Sequence, residues 1–402
     1  MAPMAGAQRK PTPPARAQAP ANAKSQAPAD PKKEFVLNVV RAAVALPEPD
    51  PQDRLRVLNS AASVVSTLDR PMAKSFAREG ARIEAELIGI GQTPAVSMLA
   101  SGEVECPSAV NFVDTIPASA VVRAEQSLLG ALTACPKQTL EPIRQKTEAA
   151  LNQGYVAPRA LMAVMERVGP SSRWSQATFT KMFSSLPDPD QAKGEAPNFG
   201  MMFASMAPQV DKDTAGKAGV SLLEWLSKVK ESGERNLTVT TVTDALKAAL
   251  GPEDYAKALQ SNIIAQQVAQ TAGQPGEIEH PQEENVSVLE AMGDDGQDRS
   301  DALAKLAPSL RARQAAAHGF ASGTSGDRKL ADHYFDMAFA AVDEVWDDRD
   351  KVENAPAVVE EVSEAAAQVD PVAALRRTQH LQDPSAQAIG MLAVARVALG
   401  QD

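Results

Sequence analysis

The chain has 402 residues, of which 44% are hydrophobic and 4% aromatic, and its net charge is -11 at pH 7. This length accommodates two or three compact domains or one continuous repeat array, and the hydrophobic fraction suffices for a buried core. The negative charge argues against nucleic-acid and anionic-lipid partners, which require clustered Lys and Arg, and no apolar run approaches the roughly 18 residues of a membrane span.

The first 30 residues form a tail that is rich in proline and alanine, in which four basic residues stand against one acidic residue, Asp30. Because the segment has almost no large apolar side chains, it is predicted to be disordered. It also lacks the apolar stretch of a signal peptide, so the default location is cytoplasmic. A start codon further upstream that encodes a signal peptide would instead predict an exported or periplasmic protein.

Four helices are predicted to begin with the same Asp-Pro dipeptide, at Asp30, Asp50, Asp370 and Asp383. Aspartate accepts hydrogen bonds from the free N–H groups of a first helical turn, and proline fits the first helical position. Further helices are predicted throughout 70–368, joined by short turns that contain Gly or Pro. The abundance of alanine and leucine and the scarcity of aromatic residues also favour helix.

One segment, LTVTTVT at 237–243, alternates in the manner of a β-strand. No second strand is available to pair with it, and it runs directly into a helix-forming sequence, so it is predicted to be helical. The predicted fold class is therefore all-α, with antiparallel helix pairs stacked side by side as an α-solenoid after the disordered tail.

The two cysteines, Cys106 and Cys135, are each followed by proline. If the helices beside them form an antiparallel hairpin, both thiols lie at the same end of it, where a disulfide could close a loop of about 30 residues. In a reducing cytosol the two residues would instead remain small apolar side chains. The disulfide is therefore a hypothesis that is linked to export.

Composition also predicts where the chain divides into domains. The stretch 272–300 combines Gly and Pro with many carboxylates, so it is predicted to be an acidic linker. It would separate a helical domain at 31–271 from a C-terminal helical, repeat-like domain at 301–402. A second break at 186–200 marks a sub-boundary within the first of these domains.

A recurring spacing of small and aromatic residues lies near the C-terminus. Gly319 occupies a small-residue position in one predicted helix, where a second helix would pass close by. Ala331, Phe335 and Ala338 follow at the spacing of a second small position, an aromatic and another alanine. In these features the segment 311–344 resembles a tetratricopeptide repeat, a helix-turn-helix unit.

The resemblance is incomplete, because Ala315, Ser322 and Asp343 stand where that family usually has tryptophan, tyrosine and proline. A fainter echo of the same spacing lies near 156–188. The resemblance implies stacked antiparallel helix pairs, and it implies no particular ligand.

One group of residues has the spacing of metal ligands. His333 and Asp336 lie one helical turn apart, and His318 could join them across the turn of the repeat-like unit. Two imidazoles and a carboxylate would suit a transition metal. Alternatively these polar residues face solvent, because the aromatic residues beside them would occupy the core side of the helix. The acidic loop 293–301 lacks the EF-hand order, so only weak calcium binding is considered there.

The last segment, 381–400, is apolar nearly all round when it is drawn as a helix. Such a helix must be covered on most sides. Either it tucks into its own chain, or it is buried against another molecule.

No catalytic or cofactor-binding motif is recognised, and no cofactor is expected. The preferred hypothesis is a non-enzymatic helical-repeat scaffold that binds a protein or peptide partner on its concave surface. One alternative is a structural, envelope-associated helical protein without a dedicated ligand. The other is a hydrolase or metal enzyme whose site the sequence does not reveal. The sequence leaves the oligomeric state open.

Overall fold

A computed structural model describes residues 30–48, 50–190, 196–273, 299–352 and 354–400. Across these ranges the chain forms nineteen α-helices, three short 3₁₀ turns and no β-strand. The predicted all-α class is confirmed, while the solenoid arrangement stays a prediction. Almost all of the predicted tail and of the predicted acidic linker lies outside the described residues.

The helices are numbered in chain order. The first seven are α1 Pro31–Val44, α2 Pro51–Val65, α3 Arg70–Gly89, α4 Cys106–Thr115, α5 Glu125–Ala134, α6 Pro136–Asn152 and α7 Pro158–Val168. The next six are α8 Arg173–Ser184, α9 Ala196–Met206, α10 Lys212–Leu226, α11 Gly233–Leu250, α12 Pro252–Gln260 and α13 Ile263–Ala269. The last six are α14 Ser300–Leu303, α15 Pro308–Ser325, α16 Arg328–Asp347, α17 Ala355–Val369, α18 Pro371–Thr378 and α19 Pro384–Leu399.

All four predicted Asp-Pro helix starts are confirmed. Helices α1, α2, α18 and α19 each begin at the proline, and the preceding aspartate accepts a hydrogen bond from a backbone N–H of the first turn. At the start of α19, for example, Oδ1 of Asp383 accepts from the backbone N of Ser385 at 2.8 Å. Each of these starts is therefore fixed locally, before any tertiary contact is considered.

The first hydrophobic cluster joins the two ends of the described chain. Helices α1 and α2 supply one side of it, with Val40 and Val57 fully buried, and the helices that follow residue 299 supply the other. Helix α19 contacts α1, α2, α17 and α18, and ten of its 16 residues are buried. The apolar C-terminal segment is thus covered by its own chain, which was the first of the two predicted alternatives.

Two further clusters extend the structure away from α19. One packs the opposite face of α2 against α3 to α7, around Leu58, Leu128 and Val164. The other packs α7 to α13, where the ring centroids of Phe183 and Phe203 lie 5.5 Å apart. Because each cluster shares a helix with the next, packing is continuous from one cluster to another.

The predicted domain boundaries stay predictions. The hydrophobic clusters group the helices in a different way from the predicted domains. Helix α1 and one face of α2 pack with the helices of the predicted domain 301–402 rather than only within 31–271. The predicted sub-boundary at 186–200 covers the connection after α8 and the first turn of α9, and both of these helices contribute to the same cluster.

The strand-like segment 237–243 lies within α11, as predicted. Three of its four threonines fit a helix because their hydroxyls donate to carbonyls one turn back, as Thr238 Oγ1 does to the carbonyl of Glu234 at 2.8 Å. Thr240 Oγ1 donates to the carbonyl of Asn236 at 2.9 Å, and Thr241 Oγ1 donates to the carbonyl of Leu237 at 3.0 Å. Those bonds satisfy polar groups that otherwise favour other backbone conformations.

Helices α15 and α16 form the hairpin that covers the repeat-like segment 311–344. A Cβ atom built on Gly319 would lie 2.9 Å from two ring carbons of Phe335, so only glycine permits this approach of the two helices. A Cβ atom on Gly323 would lie 2.5 Å from Cγ1 of Val369 in α17. The predicted close passage at Gly319 is therefore present, whereas the family resemblance itself stays a prediction.

Candidate functional site

The three candidate metal ligands contact different neighbours. Nε2 of His333 lies 2.6 Å from Oγ of Ser300, at the start of α14. Oδ1 of Asp336 accepts a hydrogen bond from Nε of Arg377 at 2.8 Å. The ring of His318 lies 5.3 Å from that of Tyr334, centroid to centroid. Within the described ranges, no group of three or more His, Cys, Asp or Glu residues is arranged to hold a metal ion.

Cys106 and Cys135 are joined by a disulfide bond, with their Cα atoms 5.1 Å apart. Cys106 is the first residue of α4, and Cys135 lies between α5 and α6. The bond therefore connects the start of α4 to the α5–α6 junction, within the cluster formed by α2 to α7. Neither sulfur is available as a nucleophile or metal ligand while it is bonded.

An open groove of about 630 Å³ lies between α16 and α18, and we call it the α16–α18 groove. Its apolar lining consists of Phe339, Ala340, Ala373 and Leu381. Phe339 and Leu381 also belong to the first hydrophobic cluster, so packing beneath the groove holds its floor in place. A groove built on a packed floor presents the same surface to any ligand without prior rearrangement.

The two walls of the groove carry opposite charges. They are formed by Asp332, Asp336 and Asp343 on α16, and by Arg376, Arg377 and His380 on α18 and the turn after it. The aspartates share one face of α16 because their spacings are close to whole helical turns. The groove therefore offers apolar contact between two polar rims.

Arg377 links the two walls. Its Nη2 donates to Oδ1 of Asp332 at 2.8 Å, and its Nε donates to Oδ1 of Asp336 at 2.8 Å. Burial alone would lower the pKa of Arg377, but the hydrogen bonds to Asp336 and Asp332 outweigh that effect and raise the pKa above its ordinary value. The guanidinium also lies 5.8 Å from the ring centroid of Phe335. Arg377 therefore links α18 to α16 through these hydrogen bonds.

The other end of the groove has charges that are less fully paired. Oδ1 of Asp343 accepts from the backbone N of Gln382 at 3.0 Å. Burial raises the pKa of Asp343, this hydrogen bond lowers it, and the charge of Asp347 raises it, with a net rise. Arg376 is exposed, and no ion pair joins its guanidinium to any residue that the structure describes. It is the groove cation best placed to meet an incoming carboxylate.

A smaller groove of about 290 Å³ lies between α15 and α17, the α15–α17 groove. Phe320 lines it and is 36% exposed. Nε of Arg313 donates to Oε2 of Glu361 at 2.6 Å, and this ion pair spans the two helices. The groove is lined by the first helix of the repeat-like hairpin and by the helix that follows the hairpin.

Sequence reasoning singled out Asp336 as a metal candidate and did not recognise its partner. The acidic row on α16 is visible in the sequence, because Asp332, Asp336 and Asp343 fall on one helical face. The pair Arg376 and Arg377 is visible as well. The sequence does not reveal the register of α16 against α18. This register places Arg377 opposite Asp336 and Asp332, which are 41 and 45 residues away in the chain.

Within the described ranges, no helix has both the length and the apolar character that a membrane crossing requires. Comparison of the chain with protein-family profiles, with curated proteins and with solved structures gives no match in any of the three.

Proposed function

We propose that the protein is a non-enzymatic helical scaffold that binds a protein or peptide partner in the α16–α18 groove. The observation that supports this proposal is the combination of an apolar floor with two oppositely charged rims. Peptide-binding helical proteins use such grooves, in which apolar anchors supply affinity and flanking charges set orientation. We favour a binding scaffold over an enzyme because of this groove, and not because catalytic residues are absent.

The dimensions of the groove favour a short segment. The acidic rim runs from Asp332 to Asp343 along α16, a length of about 16 Å at the helical rise, which about five extended residues would span. We infer an apolar side chain against Ala340 and Ala373, and an acidic side chain beside the unpaired Arg376. Such a segment would complement both the floor and the free cation.

The experiment is selection from a random peptide library displayed on phage, with the full chain as bait, followed by affinity measurements on the selected peptides. The variant Ala340→Arg places a charge in the groove floor at an exposed position. We expect it to weaken binding at least about tenfold, which corresponds to about 1.4 kcal/mol. The matched control is Ala317→Arg, an exposed alanine to arginine change that lines the α15–α17 groove.

Selected peptides that lose affinity for Ala340→Arg and keep it for Ala317→Arg would support the proposal. The opposite pattern would assign binding to the α15–α17 groove instead. A selection that enriches no peptide, with a correctly folded bait, would contradict a peptide-binding scaffold and favour the structural alternative.

We also infer that the protein works in an oxidising compartment, outside the cytosol. The disulfide between Cys106 and Cys135 supports this inference, because such bonds persist mainly in secreted and periplasmic proteins.

A further inference from the structure

The connection between α1 and α2 contains a carboxyl group in an unusual environment. The side chain of Glu48 has no exposed surface. Neither of its oxygens has a hydrogen-bond partner among the described residues. Its nearest cation is Arg54, whose Nη1 lies 3.7 Å from Oε2, which is beyond hydrogen-bond distance. A buried carboxylate without a hydrogen bond is costly, so burial favours the neutral form of this group.

Arg54 is already engaged by other acceptors. Its Nη1 donates to the carbonyl of Val44 at 2.7 Å. Its Nε and Nη2 both donate to Oε1 of Glu79 in α3, at 3.2 Å and 2.9 Å. Three of the five N–H donors of Arg54 are therefore engaged elsewhere, and none of its hydrogen bonds reaches Glu48.

The other charged groups around Glu48 are mostly acidic. Asp53, in the first turn of α2, is 6% exposed and accepts from Nη1 of Arg349 at 2.7 Å. Nη2 of the same arginine, just after α16, reaches Oδ2 of Asp50 at 3.4 Å. The charge of Asp383, the cap of α19, also acts on Glu48. The turn after α16 thus contacts the start of α2 through Arg349, whose hydrogen bonds go to Asp50 and Asp53 rather than to Glu48.

Burial raises the pKa of Glu48 to about 7, with Arg54 acting to lower it and Asp53 and Asp383 acting to raise it further. Because the folded pKa lies above the unfolded value near 4.5, the stabilising effect of this group is full below about pH 4.5 and is lost as the pH rises through about 7.

We propose that Glu48 is a proton-operated latch: while its carboxyl is neutral, Glu48 and the first turn of α2 stay packed beside Arg349 and α19, and ionisation loosens this contact. The consequence concerns α19. Helices α1 and α2 cover part of that helix, so loosening of their connection would uncover apolar surface on it. The latch does not depend on the proposed peptide groove, which α16 and α18 form.

The experiment is hydrogen exchange of the full chain, read by mass spectrometry at about pH 5.5 and about pH 8.5 and corrected for the intrinsic pH dependence of exchange. We expect peptides that cover 44–54 and 383–390 to lose several-fold protection at the higher pH, with a midpoint near 7. In Glu48→Gln, which keeps the neutral shape and cannot ionise, the same peptides should show no such transition.

A second variant keeps the proposal testable even if Glu48→Gln does not fold. Glu79→Gln weakens the hold on Arg54 and frees its guanidinium to approach Glu48, so the transition should move to lower pH. An unchanged transition in both variants would overturn the proposal, and so would a wild-type chain without any transition in these two segments. A loss of protection spread evenly over the chain would likewise contradict a local latch.

Discussion

At the scale of single residues, one buried acid organises the segment between α3 and α4. The side chain of Glu84 in α3 is fully buried, and its Oε2 accepts from the backbone N of Met98 at 3.0 Å, where a 3₁₀ turn begins. Its Oε1 accepts from the hydroxyl of Ser127 in α5. Burial raises the pKa of Glu84, and these neutral donors offset the rise only in part. One carboxyl thus ties three elements together.

Gly130 in α5 lies against the same 3₁₀ turn. A Cβ atom there would lie 2.5 Å from the backbone N of Ala100 and 2.6 Å from the carbonyl carbon of Leu99. We therefore expect Gly130→Ala to lower the free energy of unfolding by about 1 to 3 kcal/mol, because backbone rather than a flexible side chain must move. Urea denaturation followed by circular dichroism measures the change.

The matched control is Gly216→Ala, a substitution inside another helix, α10. The nearest atoms to its new Cβ are the methyl groups of Leu250, at 3.7 Å and 3.9 Å. This substitution should be neutral or should stabilise by up to about 1 kcal/mol, because alanine is the better helix former. Equal changes in the free energy of unfolding for the two variants would show that helix propensity, rather than contact of the new Cβ atom, determines both.

At the scale of elements, α19 packs against four other helices in the first cluster. Leu392 near its centre has no exposed surface. We expect Leu392→Ala to reduce the free energy of unfolding by about 2 to 5 kcal/mol, since it leaves a cavity among four neighbouring helices. Thermal or urea denaturation of the purified chain would give the value.

Val372 in α18 provides the comparison, because it is 50% exposed. Val372→Ala should change stability by no more than about 0.5 kcal/mol. If Leu392→Ala were as mild, α19 would not be an internal helix, and a role in binding another molecule would again need consideration.

The helix starts and the all-α fold class could be predicted from the sequence, because the interactions that determine them are local. The Asp-Pro pairs cap their own helices, and Asn262 separates α12 from α13 in the same way, by accepting from the backbone N atoms of Ile264 and Ala265. The sequence pattern predicts a single helix at 253–271, and this internal cap divides it. The pattern likewise predicts one helix at 300–321, and the structure divides it before Pro308, since the residue before a proline disfavours helix.

The candidate site could not be predicted to the same extent, because it depends on contacts between distant segments. The sequence offers Asp336, beside His333, as a candidate metal ligand or as a solvent-facing residue, and in the structure it accepts a hydrogen bond from Arg377 in α18. Each helix face could be assigned from periodicity, but the choice of facing helix and its register arise only from packing of the whole cluster.

At the scale of the whole molecule, the disulfide contributes to the stability of one cluster. The bond between Cys106 and Cys135 joins residues that are 29 positions apart in the sequence and so closes a loop. Replacing both cysteines by serine should lower the free energy of unfolding by about 2 to 4 kcal/mol, since the unfolded chain regains the entropy of that loop. Urea denaturation of the oxidised wild type and of the double variant measures this difference.

The control for that measurement is the wild type after reduction, which should match the double variant. Titration with a thiol reagent provides a separate check, because the denatured, unreduced chain should contain no reactive thiol. Two reactive thiols per chain would contradict both the bond and the inferred oxidising compartment.

The packing of α1 and α2 against α19 also has a consequence for folding during translation. Helix α19 is made about 300 residues after α2, and at about 5 to 20 residues per second the delay is on the order of tens of seconds. During that time the apolar faces of α1 and α2 lack their final cover. Folding of this cluster therefore has to wait until α19 is translated, and the nascent α1–α2 pair would be a substrate for a holding chaperone.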